Sequence, residues 1–163
     1  MLKHDAAAIA IRRSFAPVNE ADIADAERRM GRAIPAPYRA FLLAHNGGFP
    51  DPDGFVVPAH GGAPGEQGQV KHFFGVNTGK RVTDIASRFE MYRGRVSDAL
   101  LPIAAGMGGN LVCLATSGPD KGAVYLWDHE ASPQGDGTAP YGHAVRLAPT
   151  LDAFLTGLTD IAD

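Results

Sequence analysis

The sequence has a single cysteine, Cys113, so it can form no intrachain disulfide and no zinc site built on several thiolates. Cys113 lies in the run Leu111-Val112-Cys113-Leu114-Ala115, where cysteine ordinarily serves as a small buried hydrophobe. There is no basic excess: fifteen Lys and Arg face eighteen Asp and Glu, for a net charge of −3. Nucleic acid is therefore not expected as the main partner. No stretch approaches the roughly 20 apolar residues that span a bilayer, so no membrane partner is expected. The start, Met1-Leu2-Lys3-His4-Asp5, lacks the apolar core of a secretion signal, and the expected location is cytoplasmic. Aromatics are sparse at 8%, with one Trp, and no internal repeat is visible.

What is present is ordinary for one globular domain over residues 1–163, with 45% hydrophobic and 20% charged residues. Twenty Gly and twelve Pro predict many turns and at least one sizeable loop. Charge is unevenly spread. Residues 46–69 hold Asp51, Asp53 and Glu66 without a Lys or Arg, and residues 116–140 hold Asp120, Asp128, Glu130 and Asp136 against Lys121. Between them, residues 70–95 carry Lys71, Lys80, Arg81, Arg88, Arg93 and Arg95 against Asp84 and Glu90. Loops of one sign can steer a partner of the other, the alternative being scattered solvated charge.

Helical spacing marks residues 5–15 through Ala6, Ile9, Ala10 and Arg13. Asn19 reads as the N-cap of a helix with Glu20 and Asp22 in its first turn. Ile23, Ala26 and Met30 form its apolar stripe, and Gly31 stops it in the left-handed conformation. Pro35 and Pro37 open a second helix whose Tyr38, Phe41, Leu42 and His45 face a core, and Asn46-Gly47-Gly48 ends it. Residues 49–69 read as a long excursion with one short strand at Phe55-Val56-Val57.

From Val70 to Val76 the pattern suits a strand, and Thr83 then caps a helix bearing Ile85, Ala86 and Phe89. Strands at Leu101–Ala105 and Asn110–Ala115 flank a Gly106-Met107-Gly108-Gly109 turn, followed by Ala123–Asp128. The second and third of these are apolar on both alternating faces, as central strands are. Val145-Arg146-Leu147 is a last strand, and Leu151, Phe154, Leu155 and Leu158 stripe a closing helix. The expected class is α+β: an antiparallel sheet of about five to six strands packed with helices.

Three segments in this order resemble the SUKH superfamily, also called the cell-wall assembly regulator or killer-toxin-resistance family. They are Ile34-Pro35-x-x-Tyr38-x-x-Phe41-Leu42 with Asn46-Gly47-Gly48, preceded by a helix bearing Glu27; Leu101-Pro102-Ile103-Ala104 leading to Gly109-Asn110-Leu111-Val112-Cys113-Leu114; and Gly122-Ala123-Val124-Tyr125-Leu126-Trp127-Asp128-His129-Glu130. The resemblance covers about residues 19–158. Two departures are Gly106-Met107-Gly108, where relatives often carry a polar or acidic residue, and the long 49–69 stretch. Bacterial members of that family are commonly immunity proteins that neutralise a cognate toxin by direct binding, and others are interaction scaffolds. The resemblance brings no catalytic set and no cofactor. It implies a protein partner, with a scaffold for an endogenous protein or peptide as the alternative, and an enzyme or small-molecule binder behind both.

The chemical candidates fail on spacing. Asp128-His129-Glu130 offers carboxylates beside an imidazole, but neighbours on a strand point to opposite faces. Asp51-Pro52-Asp53-Gly54 falls short of a calcium loop, since Gly62 stands where the twelfth-position Glu belongs. The 106–109 glycines lack dinucleotide spacing and lie between strands. The expected partner surface is acidic: Asp51, Asp53, Glu66, Asp128, Glu130 and Asp136.

Overall fold

A computed structural model describes residues 9–59, 64–129, 141–142 and 144–161. The order is β1 (Ala10–Arg12), α1 (Glu20–Met30), α2 (Ala36–Ala44), β2 (Phe49–Asp51), β3 (Gly54–Val57), β4 (Glu66–Phe73), α3 (Ile85–Met91), β5 (Leu100–Gly106), β6 (Leu111–Ala115), β7 (Val124–Trp127), β8 (Val145–Ala148) and α4 (Leu151–Thr156). Strands β3 to β8 form one antiparallel sheet in sequence order, while β1 and β2 pair separately. The expected α+β class is what the chain adopts.

α1 forms where its caps dictate. Asn19 Oδ1 accepts from the Asp22 backbone N–H at 2.9 Å, and Asp22 returns the bond to the Asn19 N–H at 2.9 Å. This reciprocal box satisfies two of the orphan donors of the first turn. At the other end Gly31 takes φ 77° and donates to the Glu27 carbonyl at 2.8 Å. Glu27 also accepts from the Ile34 N–H at 2.7 Å and from Arg39 at 2.5 Å, which ties α1 to the start of α2.

The sheet is covered on both sides at its centre. Every residue of β5, β6 and β7 is buried, as the apolar runs predicted. Pairing puts Cys113 beside Tyr125 and Leu111 beside Trp127 on one face, and Val112 beside Leu126 and Leu114 beside Val124 on the other. Burial pushes the Cys113 thiol far above its usual range, so it stays protonated and inert. The sheet edges converge as well. Gly54 and Thr159, just past α4, exchange backbone bonds of 2.7 and 2.8 Å, and Phe55 packs on Phe154.

Three expectations need correction. Within residues 9–15 there is no helix: Ala10–Arg12 is a strand pairing with Phe49–Asp51. Tertiary pairing overrides a weak local helical spacing here, because Ile11 packs directly against the bare Cα of Gly48. Second, the cap of α3 is Asp84 rather than Thr83: Asp84 Oδ2 accepts from the Ser87 N–H at 3.0 Å, while Thr83 turns to Thr78 at 2.7 Å. Third, the 49–69 stretch is mostly strand, holding β2, β3 and the first half of β4. Gln67, Gly68 and Gln69 hide that strand in the sequence because they lack apolar alternation. Gly68 is bare for a packing reason, since a Cβ there would stand 2.4 Å from the Phe55 ring.

His72 of β4 lies between the rings of Phe49 and Phe74, at 5.6 and 5.5 Å. Burial lowers its pKa, the Val82 carbonyl opposes this, and Arg88 and Lys71 add to the lowering. A histidine harder to protonate when folded favours the unfolded chain once pH drops below the unfolded pKa. Stability should hold above the ordinary histidine range and decline as pH falls through it. Urea midpoints measured from mildly alkaline to mildly acidic pH should show that decline, and His72→Phe should flatten it. An unchanged acid slope in the variant would remove His72 from the account.

Candidate functional site

The Asn46-Gly47-Gly48 motif is a structural hub. Asn46 is buried, and its amide donates to the Ala16 and Val76 carbonyls at 2.8 Å each. Its Oδ1 accepts from the Val76 N–H at 2.8 Å. One side chain thereby pins the approach to α1 and the exit of β4 to the end of α2. Gly47 at φ 70° and Gly48 at φ 126° let that turn press on its neighbours, for a Cβ on Gly47 would sit 2.8 Å from the Phe73 oxygen. Tyr38 is wholly buried; its hydroxyl donates to the Phe74 carbonyl at 2.5 Å and lies 3.1 Å from that of Ile103. Burial raises its pKa well above the usual tyrosine range. Phe41 stacks on Tyr38 at 5.3 Å, Pro35 stands at the N-cap of α2, and Pro102 is buried in β5.

Asn110 fixes the far end of the sheet. Its Oδ1 accepts from the His129 N–H at 3.1 Å and lies 3.1 Å from His129 Nδ1. The imidazole lies at the Met107–Gly109 turn and packs on Gly109. Tyr125 donates to Asp120 at 2.5 Å and meets the tilted ring of Tyr141 at 4.6 Å, and Trp127 is buried. Among the described residues no group of three or more His, Cys, Asp and Glu comes together as a metal site.

The acidic candidates separate into two groups. Asp51 sits on β2 and pairs with Arg12 at 2.8 Å, both exposed, apart from the six-stranded sheet. Asp53 accepts from Gln69 Nε2 at 2.9 Å. Glu66 opens β4 opposite Val57. Asp128, exposed, leaves β7 beside the Asn110–His129 clasp. Glu130 and Asp136 lie outside the described residues.

Glu66 and Gln69 line one groove of about 190 Å³ together with Val57, Met107, Asn110 and Leu126. Met107 is 49% exposed there. The groove thus combines adaptable apolar side chains with amides and one carboxylate, a mixture suited to a protein surface rather than to bond chemistry. Sequence reasoning missed Met107 as a surface feature, taking its neighbourhood only as a turn.

The other missed region surrounds α3, where arginines lie on aromatic rings. Arg32, between α1 and α2, donates to the Leu100 carbonyl at 3.2 Å and to the Asp98 carbonyl, and its Cζ stands 5.3 Å from the centre of the Phe89 ring. Burial lowers its pKa, with Asp98 raising it and Arg93 lowering it further. Arg29 of α1 reaches Asp84 at 3.2 Å, Ser87 at 2.9 Å and Glu90 at 3.2 Å. The legible signal is the run Arg88-Phe89, Tyr92-Arg93 and Arg95, whose charge alone, not its aromatic company, enters the sequence reading.

No helix of the described residues is long and apolar enough to cross a membrane. No curated protein matches the chain. The model of the SMI1 / KNR4 family (SUKH-1) matches residues 17–157, the span from the approach to α1 through the end of α4, and to that family the chain belongs.

Proposed function

We propose that the protein is a non-catalytic, cytoplasmic binding domain that neutralises a cognate bacterial toxin by direct association. The observation that carries this reading is membership of the SMI1 / KNR4 family (SUKH-1) over residues 17–157. The Met107 end of the sheet supports it with the kind of surface such a protein would use. There Glu66 lines the groove with the exposed Met107, Asp53 bonds to Gln69 of its wall, and Asp128 precedes the His129 that Asn110 clasps. Acids around an apolar centre steer a basic partner in and then bury the centre. Asp51, held by Arg12 on β2, contributes less to that surface.

The test is titration of the purified protein with toxin domains encoded beside its own gene. One of them should form a stable one-to-one complex. Glu66→Lys combined with Asp128→Lys should slow association by about tenfold and weaken its salt dependence. Recovery of an endogenous host protein instead, with no toxin bound, would favour a regulatory scaffold and sink this reading.

A further inference from the structure

We infer that the α3 side of the molecule is a second docking surface, one that takes an acidic segment of a protein partner. Arg88 stands 4.9 Å from the centre of the Phe74 ring and 5.6 Å from that of Tyr92. Arg95 stands 5.3 Å from Tyr92 and 5.4 Å from Trp127, and Arg93 stands 4.9 Å from Phe89. The rings beneath are themselves fixed: Tyr92 meets Trp127 edge to face at 5.5 Å, and Trp127 is buried in β7.

Two patterns hold the arginines. Arg12, Arg28, Arg29 and Arg39 each pair with a carboxylate. Arg88, Arg93 and Arg95, like Arg13 on Phe49 and Arg32 on Phe89, show no carboxylate pair among the described residues and lie on aromatic faces, Arg93 also reaching the Met30 carbonyl at 3.5 Å and Arg88 burying its Nε. A guanidinium lying on a ring can turn an N–H edge to a carboxylate and grip it bidentately, and the exposed Arg93 and Arg95 are placed to do so, whereas the Nε of Arg88 is buried. Because stacking orders the side chain beforehand, less rotamer freedom is lost on binding. Arg, Tyr and Trp are also the residue types that dominate binding energy at interfaces.

The shape selects the class of partner. The cleft among Arg32, Phe89, Tyr92 and Arg93 holds only about 40 Å³, far below what a small-molecule ligand needs. Nucleic acid is disfavoured because exposed Glu90 and Asp98 interrupt the basic run and the whole chain is acidic. An Asp- or Glu-bearing protein segment lying across the exposed guanidiniums of Arg93 and Arg95 fits both facts. On another side of α3, Lys80 and Arg81 border an open groove of about 420 Å³ together with the paired Arg29 and Asp84.

This inference rests on the protein-binding reading but not on the acidic end of the sheet. Its test titrates the full chain with an Asp/Glu-rich synthetic peptide, a Lys/Arg-rich peptide and a single-stranded oligonucleotide, following the arginine Nε–H and Trp127 indole resonances. The acidic peptide should shift Arg93, Arg95 and Trp127 saturably, and the basic peptide should not. Arg93→Glu with Arg95→Glu should weaken binding at least about tenfold, and Arg93→Lys with Arg95→Lys should weaken it partly, since lysine keeps the charge without the planar fork. If the charge-reversed chain does not fold, the Gln pair serves in its place.

Shifts that map away from α3, a lysine pair that binds as well as the native chain, or tighter binding of the oligonucleotide would each overturn the inference. Failure of the proposed function reads differently. If no toxin binds while the peptide docks at α3, the toxin assignment falls and this surface stands. If a toxin binds but the peptide does not, the reverse holds.

Discussion

Replacing Asn46 with Ala should destabilise the protein by about 2–4 kcal/mol, because it leaves the Val76 N–H and C=O buried without partners. The bond to Ala16 adds less, since Ala16 is exposed and its carbonyl can turn to water. The position matters for more than its bond count. Asn46 joins three stretches of chain at one point: the residues before α1, the end of α2 and the exit of β4, next to the backbone bridge between Gly48 and Phe73. Its own carbonyl accepts from the Phe15 N–H at 3.0 Å, which completes the junction. Urea midpoints of the native and variant proteins, read by Trp127 fluorescence, measure the loss. A cost under about 1 kcal/mol, the size of a single exposed hydrogen bond, would mean the junction is not buried as described.

Gly47→Ala should cost about 3 kcal/mol, and the comparison with Gly31→Ala shows why. Both glycines have positive φ, 70° and 77°, so both substitutions carry the backbone penalty of the left-handed region. At Gly31 nothing lies within 4 Å of the added Cβ. At Gly47 the Cβ would stand 2.8 Å from the Phe73 oxygen and 2.9 Å from the Gly75 nitrogen, backbone atoms that cannot swing aside. Gly31→Ala should therefore cost only about 1 kcal/mol. Thermal and urea denaturation of the pair separates conformational from steric cost. Equal losses at the two sites would contradict the close approach of the α2 exit to β4.

Much of this architecture was legible in the sequence because local chemistry and global fold agree. The Asn19 cap, the Gly31 stop and the apolar runs of β5 to β7 each announce themselves through a residue type that the structure uses for that purpose. The misses have a common physical origin. β1 is held by a partner distant in sequence, and both β1 and the first half of β4 depend on glycines that admit a methyl group or a ring, so their own residues carry little strand pattern. Thr83 and Asp84 are both good capping residues, and only the packing of Arg29 and Ser87 around Asp84 decides between them.

The candidate surfaces were less legible for the same reason. Asp51, Asp53 and Glu66 are close in sequence, yet the strand pairing leaves Asp51 on a separate two-stranded sheet and carries Glu66 to the Met107 groove. The basic run of residues 70–95 looked like a sum of charges. In three dimensions its members diverge: Lys80 and Arg81 border an open groove, whereas Arg88, Arg93 and Arg95 lie on rings that include the distant Trp127. Trp127 is the ring that Arg95 covers, and Asp128 follows it in the chain.

The most direct measurement is survival of cells that produce each toxin domain encoded beside this gene, with and without the full chain. The account predicts that one toxin kills alone and is harmless when the chain is co-produced, and that the combined Glu66→Lys and Asp128→Lys variant, still folded, protects less well. Unrelieved killing by every such toxin, with the chain present and folded, would contradict it.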